Sequence, residues 1–449
     1  MRKDIAMKTN KESSSQESLR SITPSTERSI RSGFANFPGP AMTRRSLIEA
    51  GALLGLGSLG VLAGCRPKPD PAAGGGGTTT GRSQVLTSGY IPILDCVPLI
   101  VAYEKGFFQE FGIRAEKPVL IRAWPALMEA FTSKNILLTH ILLPQVIFLR
   151  YARQTAVRSV AYNHTNVVAM LGAQGFDSVH KLGGHVVGCP TWWAPHTGIF
   201  QDVVRAAGLR PVVGKTELAP DEVGFRVVPP PDMVDGLKSG RIAGCTVSEP
   251  FGAGAEVLAS ATMLKMSGDV WPDHPCCQSV LLEETIERDR PWAEAVTSAI
   301  YRAALWSFEN REELAEILGK DGGGYFPMPT AVVSRALLKQ DLETYGPDGS
   351  GAIMHPGWDV RRVNFVPYPF PSAFDTTIDL MRRMVVDPSA ALPNEISTLT
   401  GRQIAEQIVD YELARVGIEA AGGMGRFGIV SADPFHRRER YEVLLKGQG

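Results

Sequence analysis

Several signatures of catalytic and nucleotide-binding sites are missing from this 449-residue chain. It has no GxSxG elbow, no HExxH, no GxxxxGK[ST] and no GxGxxG following a strand pattern, which removes the usual serine hydrolases, zinc proteases, P-loop enzymes and dinucleotide-dependent dehydrogenases. The glycine-rich run Gly51 to Gly60 falls inside an N-terminal apolar segment. A basic excess is also lacking: 46 Lys and Arg face 47 Asp and Glu, so no phosphate-binding face and no nucleic-acid partner are expected. Cysteine is scarce, at six residues. Cys276 and Cys277 are adjacent, with no CxxC partner and no spacing suited to zinc, while Cys189 and Cys245 lie in apolar, strand-like runs and read as buried thiols. His140, His164, His180, His185, His274 and His355 show no metal-ligand spacing and read as structural or surface residues. No metal, no cofactor and no enzymatic activity are expected.

What the sequence does have is most specific near its start. Residues 1–64 hold nine Lys and Arg against five Asp and Glu, leaving 37 against 42 for the remainder. Thr43-Arg44-Arg45-Ser46-Leu47 leads into an apolar run that ends Leu62-Ala63-Gly64-Cys65. Paired arginines before a modest apolar stretch resemble a twin-arginine export signal, and small residues before a cysteine resemble a lipoprotein cleavage box. Five glycines between Leu47 and Gly64, with Glu49 among them, favour this over a retained membrane helix. The expected organisation is a leader or mis-assigned start over 1–41, with Met42 as the true start, a signal over 42–64, lipid on Cys65, and a flexible tether over 65–83 containing four consecutive glycines. The product would be exported and anchored to the cell membrane. With Cys65 consumed by lipid, the odd number of cysteines left argues against a full disulfide framework.

From about residue 84, short apolar runs alternate with helical patterns, the signal for βα units and a largely parallel sheet. Strands are expected at 84–90, 119–123, 140–143, 159–162, 167–171, 185–189, 226–228 and 242–247. Helices are expected at 95–103, 124–132, 198–207, 231–239, 292–309 and 401–416, with a mainly helical pattern after Trp271. The second α/β block reads as inserted into the first, giving two lobes, 84–180 with 265–449 and 181–264, around a cleft. Ligands of open α/β sheets bind beyond the carboxyl ends of strands. The residues there are Trp124, Gln145, Asn166, Trp192, Trp193, His196 and Glu249. Of the two adjacent tryptophans, one is expected to line the cleft and the other to pack. Glu249 either caps the helix after Pro250 and braces the hinge, or binds a cation or N–H donor accompanying the ligand. Asp95 reads as a helix N-cap.

Tyr103-Glu104-Lys105-Gly106-Phe107-Phe108, then Val227-Val228-Pro229-Pro230-Pro231-Asp232-Met233-Val234 and Ser248-Glu249-Pro250-Phe251, resemble elements of the nitrate, sulfonate and taurine solute-binding family, nearest its nitrate- and bicarbonate-binding members. The resemblance covers roughly residues 84–420. It implies a type II periplasmic-binding-protein fold, a monomer that hands a small solute to an ABC permease in the membrane, and a nitrate-, nitrite- or bicarbonate-type anion as ligand. Sulfonates, urea-like or thiamine-precursor ligands, or a sensor docking on a membrane receptor, are the alternatives. Trp124 and His196 match the family's anion-binding tryptophan and histidine, and Asn166 stands nearest its glutamine. The family lysine is replaced: Cys277 occupies its place in Asp273-His274-Pro275-Cys276-Cys277.

If Cys65 is the lipid acceptor, Cys65→Ala abolishes lipid labelling, and replacing Arg44 and Arg45 together by lysine traps precursor in the cytoplasm. Unchanged labelling and fractionation of both variants would remove this assignment.

Overall fold

The computed structural model describes residues 84–447 apart from residue 356, so the segments in which an export signal, a lipid-accepting Cys65 and a tether are expected lie outside the described residues. Thirteen strands are described: β1 (Ser88–Tyr90), β2 (Val119–Leu120), β3 (Leu138–Leu142), β4 (Val157–Tyr162), β5 (Thr165–Asn166), β6 (Val168–Gly172), β7 (His185–Cys189), β8 (Arg210–Val213), β9 (Glu222–Val227), β10 (Gly244–Ser248), β11 (Thr262–Met266), β12 (Cys277–Leu282) and β13 (Val363–Asn364). They form a five-stranded sheet in the order β2-β1-β3-β12-β4, a six-stranded sheet in the order β11-β6-β10-β7-β9-β8, and the small pair β13-β5.

Local sequence explains most of these elements. Leu-Thr-His-Ile-Leu in β3 and Gly-Cys-Thr-Val-Ser in β10 are buried at every position, as expected of strands covered on both faces by helices. The helix Val97–Glu104 carries Pro98 in its first turn, where the missing N–H costs nothing, and its first six residues are buried. Gly106, at a φ of 73°, then makes the reversal into Phe107–Glu110, a left-handed conformation that glycine adopts without steric penalty.

Three expectations are corrected. β6 hydrogen-bonds to β10 and β11, so residues 168–172 belong to the six-stranded sheet and not with the first block. The chain exchanges sheets at Asn166 and Val167, and returns between β11 and β12. The pattern after Trp271 hides a strand: β12 runs antiparallel between β3 and β4, and its Cys-Gln-Ser-Val-Leu-Leu sequence has neither alternation nor a pure apolar run. The helix expected over 401–416 is two, Gly401–Ile408 and Tyr411–Ala420. The break occurs where Asp410 donates its backbone N–H to the Ser159 carbonyl (3.0 Å) and its side chain caps the second helix by accepting from the Leu413 amide (3.0 Å).

The C-terminal segment crosses from one sheet's surroundings to the other's. Trp271 Nε1 donates to Glu439 (2.7 Å), Lys265 Nζ of β11 donates to the Leu444 carbonyl (2.6 Å), and Tyr441 donates to Asp202 (2.5 Å) on the helix Pro195–Ala206.

The helices Arg290–Glu309 and Tyr411–Ala420 approach closely at Gly417, where an added Cβ would lie 2.3 Å from the Tyr301 ring. Gly417→Val therefore forces these helices apart and is expected to cost about 1–3 kcal/mol, measured by urea unfolding. A neutral substitution would show that the helix pair can separate freely.

Candidate functional site

β1, β3 and β4 run parallel to one another and β12 runs antiparallel to β3 and β4, so the carboxyl ends of the first three and the start of β12 share one edge of the sheet. Residues just beyond that edge, far apart in sequence, therefore meet. Asp95 follows β1, Asn163 and His164 follow β4, and Cys276 precedes β12; His140 sits within β3. All five are fully buried. His164 Nε2 donates to Asp95 Oδ1 at 3.0 Å, the Cys276 thiol donates to the same oxygen at 3.3 Å, and the Cys277 amide nitrogen lies 3.4 Å from His164 Nε2. Asn163 Nδ2 donates to the Asp95 carbonyl at 2.8 Å and its Oδ1 accepts from Ser279, fixing the backbone around the carboxylate. Asp95 is thus no helix cap; the residue before the helix Val97–Glu104 is Cys96, which makes no side-chain capping bond.

The electrostatics follow from burial and from these contacts. Burial opposes charge on both partners of the Asp95–His164 pair, but each overrides it for the other. Asp95 is held well below the usual carboxylate range, and His164 is raised to about 10. His140 has no such partner contact, and burial brings it down to about 4, so its ring is neutral near pH 7. Its Nε2 accepts from the Ile91 amide at 3.0 Å, which leaves the ring proton on Nδ1. Burial also pushes up the thiol of Cys277, whereas hydrogen bonds from Cys277, His164 and His196 outweigh burial at Cys276 and bring that thiol down.

Around this cluster stand buried polar atoms without a hydrogen-bond partner among the described residues: Trp124 Nε1, His140 Nδ1, His164 Nδ1, Gln145 Oε1 and His196 Nε2. Trp124, 3% exposed at the start of the helix Trp124–Thr132, meets the edge of His140 with ring centroids 5.6 Å apart. From the six-stranded sheet, the loop after β7 and the helix Pro195–Ala206 bring His196, 1% exposed, with Nδ1 3.9 Å from Cys276 Sγ. Gln145 spans the same gap, donating from Nε2 to Thr191 at 3.1 Å.

The other residues singled out in the sequence lie in different settings. Trp193 stacks on Phe148 with ring centroids 6.2 Å apart and donates to the Ala390 carbonyl at 2.9 Å, whereas Trp192 lines a surface hollow with Val213, Phe225 and Asp387. Asn166 accepts from the Asp273 amide at 2.8 Å; it and Val167 hold φ values of 64° and 86°, unusual for non-glycine residues, at the exchange between sheets. Both carboxylate oxygens of Glu249 are engaged: one accepts from Arg362 (2.8 Å), the other from the Ala253 amide (2.7 Å) at the start of the helix Phe251–Ala259. Glu249 also accepts through its carbonyl from the Leu94 amide (2.7 Å) and donates its own N–H to the Val167 carbonyl (3.0 Å), bracing the exchange point. Asp95, His140 and His164 went unrecognised as site residues because no spacing links them. For Asp95 and His164 the position just beyond a strand was the available signal, whereas His140 lies in the middle of β3.

This arrangement of two α/β sheets with polar side chains gathered at facing strand ends defines the class. The structure superposes on the periplasmic nitrate-binding protein NrtA from Synechocystis PCC 6803 with a TM-score of 0.63 and 19% identity, covering 79% of this chain and 92% of that one. It also superposes on the ligand-binding component of an ABC-type import system from Staphylococcus aureus, solved with zinc bound, with a TM-score of 0.56 and 19% identity over 74% of this chain and 98% of that one. The fold is therefore that of the periplasmic binding proteins of import systems, the class expected from the sequence.

The chain belongs to the NMT1-like family, whose model matches residues 80–319. It is 27% identical over 244 residues to the nitrate/nitrite binding protein NrtA of Nostoc sp. strain PCC 7120, covering 51% of this chain and 56% of that protein. It is 25% identical over 247 residues to the nitrate import ATP-binding protein NrtC of Synechocystis sp. strain PCC 6803, covering 52% of this chain and 36% of that protein. The chain thus spans about half, or less, of the length of these curated relatives.

Arg362, 3% exposed, pairs with both Glu249 (2.8 Å) and Glu256 (2.5 Å). Arg362→Met would strand Glu249, which is fully buried, and is expected to cost about 3–5 kcal/mol in urea unfolding. A loss under about 1 kcal/mol would mean that the carboxylates find other partners.

Proposed function

We propose that the chain is the solute-binding component of an ABC importer, exported and held at the membrane through lipid on Cys65, and that it passes a small oxygen-rich anion of the nitrate, nitrite or bicarbonate type to a membrane permease. The observation that supports this reading is the set of three N–H donors left unpartnered in one buried cluster: Trp124 Nε1, His140 Nδ1 and His164 Nδ1. Buried donors are costly unless they meet an acceptor, and a planar oxyanion offers several. The names of the relatives agree with this solute class. His196 and Gln145, contributed from opposite sides, are the groups that would register closure of the lobes over the solute.

The site differs from the family pattern at the charge that would balance the anion. Cys277 stands where the family lysine is expected, and the imidazolium of His164 is shared with Asp95. The N–H donors, and not a full positive charge, therefore supply the recognition, which favours a small, weakly hydrated, delocalised anion over a compact one. A binding role also accounts for the absence of the enzyme signatures noted above, since recognition by fixed N–H donors needs no nucleophile or general base.

Calorimetric titration of the mature protein with nitrate, nitrite and bicarbonate tests this. One of them is expected to bind with one-to-one stoichiometry, and Trp124→Phe, which removes a single donor while keeping an aromatic ring, is expected to weaken it about tenfold. No binding by any of the three, or identical affinity in Trp124→Phe, would overturn the assignment.

A further inference from the structure

The ligand-type side chains at the edge of the five-stranded sheet form a second, more specific arrangement. Asp95, His164, Cys276 and Cys277 each present one ligand atom, and these four atoms all lie within 4.8 Å of one another. Their side chains come from three separate stretches of chain, brought together by the antiparallel entry of β12 beside β3 and β4. We propose that this cluster binds a thiophilic divalent cation of the zinc class, through one carboxylate oxygen, one imidazole nitrogen and two thiolates.

Three features of the chemistry point this way. The donor set is mixed S, N and O, which suits zinc and its borderline neighbours, whereas calcium and magnesium require oxygen ligands in larger numbers. A tetrahedral site with zinc–sulfur bonds of about 2.3 Å and zinc–nitrogen or zinc–oxygen bonds of about 2.0–2.2 Å has edges of about 3.3–3.8 Å. Asp95 Oδ1 stands 3.0 Å from His164 Nε2 and 3.3 Å from Cys276 Sγ, and all four ligand atoms lie within 4.8 Å of one another, so shifts of about 1 Å bring them onto such edges. The surroundings are also those of an oriented site. Asn163 holds the Asp95 backbone, Asp95 Oδ2 has no hydrogen-bond partner among the described residues, and all four ligand residues are fully buried. His196 Nδ1, on the helix that follows β7, lies 3.9 Å from Cys276 Sγ, close enough to exchange into the ligand set.

This inference stands on the geometry of the cluster and is independent of which solute the protein carries. The test uses the mature protein, reduced and freed of metal with a chelator. Titration with Co2+ is expected to saturate at one ion per chain and to develop the near-ultraviolet charge-transfer band of cobalt–thiolate bonds together with visible bands of tetrahedral cobalt. Zn2+ is expected to displace the cobalt and abolish both, while Ca2+ and Mg2+ leave them unchanged. Cys276→Ser is expected to weaken Zn2+ binding at least 100-fold and to reduce the charge-transfer band, and Asp95→Asn to weaken binding about tenfold with the band retained. Should either variant fold poorly, protection supplies the second readout: bound Zn2+ is expected to slow modification of the wild-type thiols by a thiol reagent, with nitrate having no such effect. Absence of one-to-one cobalt binding, a cobalt spectrum without thiolate character, or equal displacement by Ca2+ would overturn the proposal. Nitrate titration of the same preparations is read separately, so loss of the metal site and loss of the anion reading are distinguishable.

Discussion

The constraint on which the site depends is the placement of β12. A strand that arrives more than a hundred residues after β3 and β4 inserts antiparallel between them, and its first residue pairs with Leu142 of β3. Because its direction is reversed, its beginning lies where its neighbours end. Cys276 and Cys277 therefore face Asp95 and His164, and the carbonyl of Cys276 receives the Leu143 amide that starts the next helix. A parallel strand in the same position would have presented its last residues, Leu281 and Leu282, at that edge and left an apolar surface there.

The two sheets are joined by well-built polar contacts. At the exchange point, Arg362 joins Glu249, Glu256, Tyr345 and Gln340, and its carbonyl accepts from the Val167 amide. Such a buried network is costly to open one member at a time, since each charge left behind lacks water. It holds Asn166 and Val167 in left-handed backbone conformations that a free chain would leave. At the site, the contacts of His196 with Cys276 and of Gln145 with Thr191 are joined by the stacking of Trp193 on Phe148, the bond from Trp193 to the Ala390 carbonyl, and the paired bonds of Gln201 with Val385.

Much of this was legible in the sequence. The helix over 124–132 and the strand over 185–189 coincide with the observed elements, because each has a strong local pattern bounded by turn residues. Trp124, Gln145 and His196 fall in or beside the cluster, since a residue just after a strand must sit at a sheet edge. What was not legible depends on long-range pairing. Nothing in Cys-Gln-Ser-Val-Leu-Leu announces a central strand, and without it Cys276 and Cys277 had no partners within reach. Asp95 looks like a cap because it precedes a helix, and only the end of β4 shows why its carboxylate turns inward. Glu249 sits directly after a strand, yet Arg362, distant in sequence, takes one of its oxygens.

The C-terminal segment adds a mechanical property. Tyr441 holds on to Asp202 beside the six-stranded sheet, Leu444 holds Lys265 in β11, and Glu439 holds Trp271 and Ser372 beside the other sheet. A belt fastened on both sides cannot stay still while the bodies beneath it separate. The stretch from Glu439 to Leu444 is thereby tied to both halves of the fold, and moving one half against the other would have to stretch or break one of these bonds.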